Sequence, residues 1–287
     1  MGRTKAIASV SSSSFLDIVW REHSIQIESA WVGPDNREGP IMVFLHEGLG
    51  SLSMWRDFPH RLCLALGIKG FVFSRPGYGR STLGEDDERW DTDYLHQQAC
   101  EVLPSVLEAA RIDPRNTPVW LFGHSDGGSI ALIYAAKFPT NAAGLVVVAP
   151  HIMVEPLTLL GIEKSRLAYQ TTDLAIQLGK YHLNPDVAFW RWNNAWLEPA
   201  FRSWSIKALL SDIRCPVLAV QGEQDQYGSM RQIYGVQQAW SETELLELPG
   251  CGHIPHRDQP DQLIGSAVSF FKLHNQIGDS RCQPQNS

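Results

Sequence analysis

Long apolar runs are missing from this chain. None reaches the roughly 18–20 residues that an α-helix needs to cross a bilayer. The longest candidate, Ala142 to Val154, is shorter and is interrupted by Pro150 and His151. A membrane span is therefore excluded as a sequence reading, and no membrane partner is expected. The segment 1–14 carries Arg3 and Lys5 with no apolar stretch behind them, so no secretory signal is expected either. Cysteine is scarce and scattered. Cys63, Cys100, Cys215, Cys251 and Cys282 are odd in number and form no CxxC pair, which speaks against a disulfide framework and a structural zinc site. A cytoplasmic setting is the expectation. Positive charge is also in short supply: 24 Lys and Arg against 31 Asp and Glu give a net charge of −7. Such a balance offers no general attraction to phosphate backbones, so nucleic acid is not an expected partner.

What is present is a globular mixture. Of the 287 residues 44% are hydrophobic and 19% charged, enough apolar mass for one large core and too much for bulk disorder. Strand-like runs at 15–21, 24–32, 41–45, 71–74, 119–122, 145–149, 217–221 and 244–248 are bounded by Gly, Pro or polar residues. Helical patterns lie between them at 54–66, 94–110, 128–138, 229–240 and 259–274. The first two runs read as an antiparallel pair. The later alternation of strand and helix predicts an α/β fold with a mostly parallel central sheet flanked by helices.

One interval breaks this rhythm. Residues 151–212 hold no convincing strand and many large aromatics, among them Tyr169, Tyr181, Phe189, Trp190, Trp192, Trp196, Phe201 and Trp204. A helical insertion between two strands is most simply a cap over the sheet edge where ligands bind. Its aromatics can equally be the cap's own core. The expected organisation is a core domain at 15–150 and 213–275, a cap at 151–212, and loose termini at 1–14 and 276–287.

The strongest chemical signal is Gly123-His124-Ser125-Asp126-Gly127, a G-x-S-x-G between an apolar run and a helical pattern. A serine in such a place sits on a sharp turn, where the flanking glycines remove Cβ atoms that would collide. The helix that follows aims its first N–H groups at the site and favours a developing oxyanion. Three further motifs stand in order around it: His46-Glu47-Gly48-Leu49-Gly50, Arg75-Pro76-Gly77-Tyr78-Gly79-Arg80-Ser81, and Gly252-His253.

With these four motifs the chain resembles the α/β-hydrolase family from about residue 15 to 274. Within it the chain looks like the capped esterases and C–C hydrolases, including the valacyclovir-hydrolase-like branch in which Asp follows the serine. The resemblance implies Ser125 as nucleophile, with His253 as base and Asp225 as the acid that orients it. His256 is a rival for the base and Glu223 for the acid. It implies an oxyanion hole made by the N–H of Asp126 and one from Gly48 or Leu49. Glu47 departs from the family, where Gly usually follows the histidine, and leaves the local turn open. Arg75 stands in a Ser-Arg-Pro-Gly that replaces the usual Asp-x-Pro-Gly, and is expected to pair with an acid. His46 is expected to be a structural hydrogen-bonder.

Asp126 has two readings. It stabilises the first turn of its helix, or it forms a negative wall that would favour an amine-bearing substrate. Glu47, Trp190 and Trp196 are the remaining pocket candidates. The implied activity is hydrolysis of a carboxylic ester, lactone or activated amide of a small, partly aromatic or apolar substrate, with no metal or cofactor. A C–C bond hydrolase of ring-cleavage diketones is the second enzyme reading. It is weakened by Ile254, where those relatives carry an aromatic after the histidine. A non-catalytic ligand-binding protein on the same scaffold is the third. The expected partner is a small-molecule substrate, and the chain is expected to be a monomer or homodimer.

Overall fold

The computed structural model describes residues 13–35, 38–83 and 90–281, with 276–281 described as backbone only. Residues 1–12 and 282–287 of the expected loose termini lie outside the described residues. Two parts of that expectation are corrected. Ser14 already belongs to the first strand, and the last helix runs on to Arg281 rather than ending near 274.

Among the described residues eight strands form one sheet: β1 (Ser14–Trp20), β2 (His23–Val32), β3 (Ile41–Leu45), β4 (Lys69–Phe73), β5 (Val119–His124), β6 (Gly144–Val148), β7 (Val217–Gly222) and β8 (Thr243–Leu248). Their order is β1-β2-β4-β3-β5-β6-β7-β8. β1 pairs antiparallel with β2 and β2 with β4; every other pairing is parallel. The helices are α1 (Phe58–Leu66), α2 (Tyr94–Gln97), α3 (Leu103–Ala109), α4 (Asp126–Lys137), α5 (Pro156–Thr171), α6 (Leu174–Leu178), α7 (Pro185–Leu197), α8 (Arg231–Ala239), α9 (Pro255–Asp258) and α10 (Pro260–Arg281).

The strands divide their side chains between two cores, as the period of two requires. Met42 and Phe44, Trp120 and Phe122, Val146 and Val148 join Phe58 of α1 and Phe270 of α10 on one face. Val43 and Leu45, Leu121, Leu145 and Val147 join Ile130 and Ile133 of α4 on the other. Because both faces are covered, these strands read as continuous apolar runs.

Two expected helices are broken. The pattern over 94–110 is α2, a π-helical turn Gln98–Val102 and α3. Pro104 lies in the first turn of α3. It has no N–H to give and its ring crowds the carbonyl four residues back, which accounts for the wider turn before it. The pattern over 54–66 splits at Arg56, whose φ is 54°, into a 3-10 turn Leu52–Trp55 and α1.

Between β6 and β7 the chain forms α5, α6, α7 and two 3-10 turns. It leaves and returns side by side, with Val154 N donating to Trp204 O at 3.2 Å and Ile206 N to Ile152 O at 2.9 Å. The segment meets the sheet's carboxyl edge: His182 Nε2 donates to Leu49 O and Thr158 Oγ1 to Tyr227 O. No helix among the described residues is long and apolar enough to cross a membrane.

Candidate active site

Ser125 follows β5 directly and has φ 52°, in the left-handed region that disfavours a residue with a Cβ. The strain is held by packing. A Cβ on Gly123 would lie 2.2 Å from Gly127 O, and one on Gly127 would lie 2.0 Å from Leu45 O. The backbone of the turn folds onto itself and onto β3 so closely that no side chain fits. Ser125 N donates to Val148 O at 2.9 Å and fixes the turn to β6.

His253 comes from the loop after β8 and Asp225 from the loop after β7. His253 Nδ1 lies 2.7 Å from Asp225 Oδ2, and His253 Nε2 lies 3.0 Å from Ser125 Oγ. A carboxylate oxygen only accepts, so Nδ1 carries the ring proton and Nε2 is free to accept from the hydroxyl. Asp225 is firmly seated. Its Oδ2 also accepts from Gln221 Nε2, and its Oδ1 accepts from the N–H groups of Tyr227 and Gly228. Burial pushes the Asp225 carboxyl up, but the His253 charge, the His253 hydrogen bond and the Tyr227 N–H outweigh it and hold it below the usual carboxylate range. The rival residues lie elsewhere in this frame. His256, in α9, packs against Trp55 at 4.7 Å and His124 at 4.8 Å. Glu223 is exposed, its backbone N bonded to Leu248 O.

The loop after β3 makes a turn in which Gly50 N donates to Glu47 O at 3.0 Å. The same carbonyl accepts from His46 Nδ1 at 2.7 Å and from Arg75 Nη2 at 2.9 Å. His46 Nε2 in turn accepts from Arg75 N at 3.0 Å, which fixes its tautomer. Burial is the first cause that keeps this ring neutral, and the Arg75 charge adds to it. In a trans peptide the N–H points opposite to the C=O. The Gly48 N–H therefore faces away from this anchored side. Among the described residues the N–H groups of Gly48, Leu49 and Asp126 make no hydrogen bond within the protein.

Asp126 is buried, and its carboxylate is already occupied. Tyr94 Oη donates to Oδ2 at 2.8 Å, Arg75 Nη2 lies 3.6 Å from the same oxygen, and the Trp196 indole N–H bears on it without full hydrogen-bond geometry. Burial raises the carboxyl against the pull of Arg75 and Tyr94. The acid partner expected for Arg75 is thus Asp126, whose Oδ2 is shared by Tyr94 and Arg75.

The other pocket candidates separate. Trp196 is buried with its ring 5.0 Å from His151, which stands 6.0 Å from His253. Trp190 is not brought to Ser125: it packs on Tyr169 at 5.6 Å and Phe189 at 5.1 Å, under Arg166. Glu47 turns its carboxylate to His124. Two residues were missed in the sequence. Trp192 lies so close over Gly48 that a Cβ there would be 2.0 Å from its indole nitrogen. Tyr227 packs its ring, tilted, 4.7 Å from His253 and bonds to Ser165 of α5. A helical-phase count would have found the first, since 192 and 196 share a face that 190 does not.

Comparison with known proteins agrees with this architecture. The chain is similar to human monoglyceride lipase, 25% identical over an alignment of 248 residues, with 77% of each chain covered. It is 20% identical over 264 residues to a 2-hydroxy-6-oxo-6-phenylhexa-2,4-dienoate hydrolase of Comamonas testosteroni, covering 82% of this chain and 88% of that one. Among solved structures, a carboxylesterase of Nitrososphaera gargenis superposes with a TM-score of 0.74 at 20% identity, covering 92% of this chain and all of that one. The family model described as the alpha/beta hydrolase family matches residues 42–266. With a match over that much of its length, this chain belongs to the alpha/beta hydrolase family.

Proposed function

We propose that this hydrolase cleaves carboxylic esters of small, partly apolar substrates through an acyl-enzyme on Ser125. The observation that carries the reading is the continuous bonding from Asp225 to His253 at 2.7 Å and from His253 to Ser125 at 3.0 Å. In the first step Ser125 Oγ attacks the acyl carbon while His253 Nε2 takes its proton. The carbonyl oxygen becomes an oxyanion, met by the free N–H groups of Asp126 and of Gly48 or Leu49. The tetrahedral species expels the alcohol oxygen, which receives the proton from His253 Nε2. Water then repeats the sequence: His253 takes a proton from it, and the acid leaves Ser125. Asp225 orients the ring and stabilises its charged form throughout. The reaction consumes only substrate and water, and uses no metal or cofactor.

The names of the lipase and carboxylesterase relatives favour an ester. An amine-bearing substrate held by Asp126 is not part of the proposal, because Arg75 and Tyr94 already occupy that carboxylate. A second reading, hydrolysis of a carbon–carbon bond, is favoured by the similarity to the dienoate hydrolase. We also propose a cytoplasmic setting, a monomer or homodimer, and no nucleic-acid or membrane partner.

A fluorophosphonate probe tests the reading. Labelling is expected in the wild type and lost in both Ser125→Ala and His253→Ala. Turnover of p-nitrophenyl acetate without turnover of a vinylogous diketone selects the ester. The reverse selects the carbon–carbon reading. Labelling that survives Ser125→Ala removes this serine as nucleophile, and no labelling with no turnover of either substrate leaves a binding protein.

A further inference from the structure

The carboxylate of Glu47, in the loop after β3, reaches across to the loop of His253 through one buried ring. Glu47 Oε2 lies 3.3 Å from His124 Nδ1, and His124 Nε2 lies 2.7 Å from the backbone oxygen of His253. His124 is fully buried and the Glu47 side chain is 18% exposed. A carbonyl oxygen only accepts, so Nε2 must carry a proton. That leaves Nδ1 for the Glu47 carboxyl, so one ring ties the loop after β3 to the loop of His253.

The surrounding groups are engaged elsewhere, which leaves this ring as the carboxyl's partner. Burial pushes the Glu47 carboxyl up, but the bond to His124 is the chief pull the other way and holds it below its usual range. His46 faces it but spends Nδ1 on the Glu47 carbonyl and Nε2 on Arg75 N. His256, 4.8 Å from the His124 ring, is pushed down to about 3, first by burial. His151, beyond His253, is likewise pushed down to about 3 by burial. Arg75 is committed to the Glu47 carbonyl and Asp126. His182 bonds to Leu49 O and Gly79 N. The His253 ring, 5.1 Å away, bonds Asp225 and Ser125 instead. No group of three or more His, Cys, Asp or Glu among the described residues is arranged to hold a metal ion, so this cluster is held by its own bonds.

We propose that Glu47 and His124 form a buried strut tying the oxyanion loop to the loop of His253, with Glu47 as the positioning residue. This rests on the assignment of Ser125 and His253 given above. Other bonds hold the loop between β8 and α9 at Cys251 O, by Gln224 N, and at Gly252 N, by Asp258. The bond from His124 Nε2 takes hold of the His253 carbonyl itself and fixes the backbone where the ring must meet Ser125.

Nitrogen-15 imidazole NMR on the full chain, with His124→Gln to assign the signal, reads the tautomer of the ring. A proton on Nε2 of His124, held by the His253 carbonyl, is expected in the wild type. With p-nitrophenyl acetate, Glu47→Ala should lower kcat on the order of ten- to a hundredfold with KM little changed, as a displaced base would. Glu47→Gln, which keeps a neutral bond, should fall between Glu47→Ala and the wild type. A bare Nε2 on wild-type His124 overturns the proposal, as does wild-type kcat in Glu47→Ala. The wild-type spectrum decides even if a variant fails to fold. Failure of the underlying reading looks different: fluorophosphonate labelling would then survive Ser125→Ala, whatever the state of His124.

Discussion

The guanidinium of Arg75 holds the carbonyl oxygen of Glu47 at 2.9 Å. Together with His46 and the Gly50 N–H it turns that peptide so that Gly48 presents its N–H to the opposite side. The loop after β3 is thus set by a buried cation rather than by its glycines alone. Arg75 also neutralises Asp126, and both side chains are 1% exposed.

The two duties can be separated. Arg75→Met leaves Asp126 as an unpaired buried charge, which typically costs about 3–5 kcal/mol. Adding Asp126→Asn removes that charge and should recover most of the melting temperature. It should not recover kcat, because the Glu47–Gly48 peptide still lacks its anchor. Loss of one oxyanion donor lowers kcat by roughly 10²–10³. A double variant that regains both stability and kcat would show that Arg75 serves only to balance Asp126.

Asp225→Asn tests the tautomer of His253. The asparagine amide can offer an N–H to Nδ1, so the ring would carry its proton on Nε2 and could no longer accept from Ser125. A loss of about 10⁴ in kcat is expected, with KM much less changed. Pre-steady-state acylation by p-nitrophenyl acetate measures it. A loss below tenfold would mean that Glu223 or water substitutes for the acid.

Much of this was legible in the residues. The strands of the parallel part stood out because burial on both faces makes them unbroken apolar runs between Gly and Pro. Ser125 stood out because a strained turn admits only glycine around it, and that requirement is local. His253 and Asp225 were reached through chain order and likeness, since nothing local marks a loop histidine as a base. The pairing of Arg75 with Asp126 was invisible. It joins residues 75 and 126 through the space under the oxyanion loop, and the sequence offers several acids at equal distance. The role of Glu47 was obscured for the same reason, because its partner His124 lies on another strand.

Acid should destabilise this fold early. Burial is the first cause that keeps His46, His151 and His256 neutral, with His151 and His256 pushed down to about 3 from an ordinary 6.5. Between these values the unfolded chain binds more protons than the folded one, so stability rises with pH. Their contribution is complete above about 6.5 and is lost as pH falls towards 3. Asp225, held below its ordinary value, acts in the same direction at lower pH. Each such histidine adds a slope of about 1.4 kcal/mol per pH unit. Urea unfolding between roughly pH 7.5 and 4.5 measures it, and His256→Gln should flatten the slope by about one histidine's share. An unchanged slope in that variant would show that His256 is not buried neutral.

The two tryptophans of α7 should part company on substitution. Trp190 packs within the helical segment against Tyr169 and Phe189. Trp190→Ala should therefore cost about 3 kcal/mol of stability, the usual price of a truncated aromatic, and leave the ratio of kcat/KM for long and short acyl esters unchanged. Trp192 lies over Gly48, in the loop proposed to supply an oxyanion donor. Its removal opens space beside the acyl carbon, and added apolar space is worth roughly tenfold or more in discrimination between chain lengths. Trp192→Ala should shift the ratio towards longer esters while p-nitrophenyl acetate, too small to touch the ring, is acylated nearly as before. If both variants change the ratio equally, the whole segment shifts as one body and the contact over Gly48 has no special part in selecting the substrate.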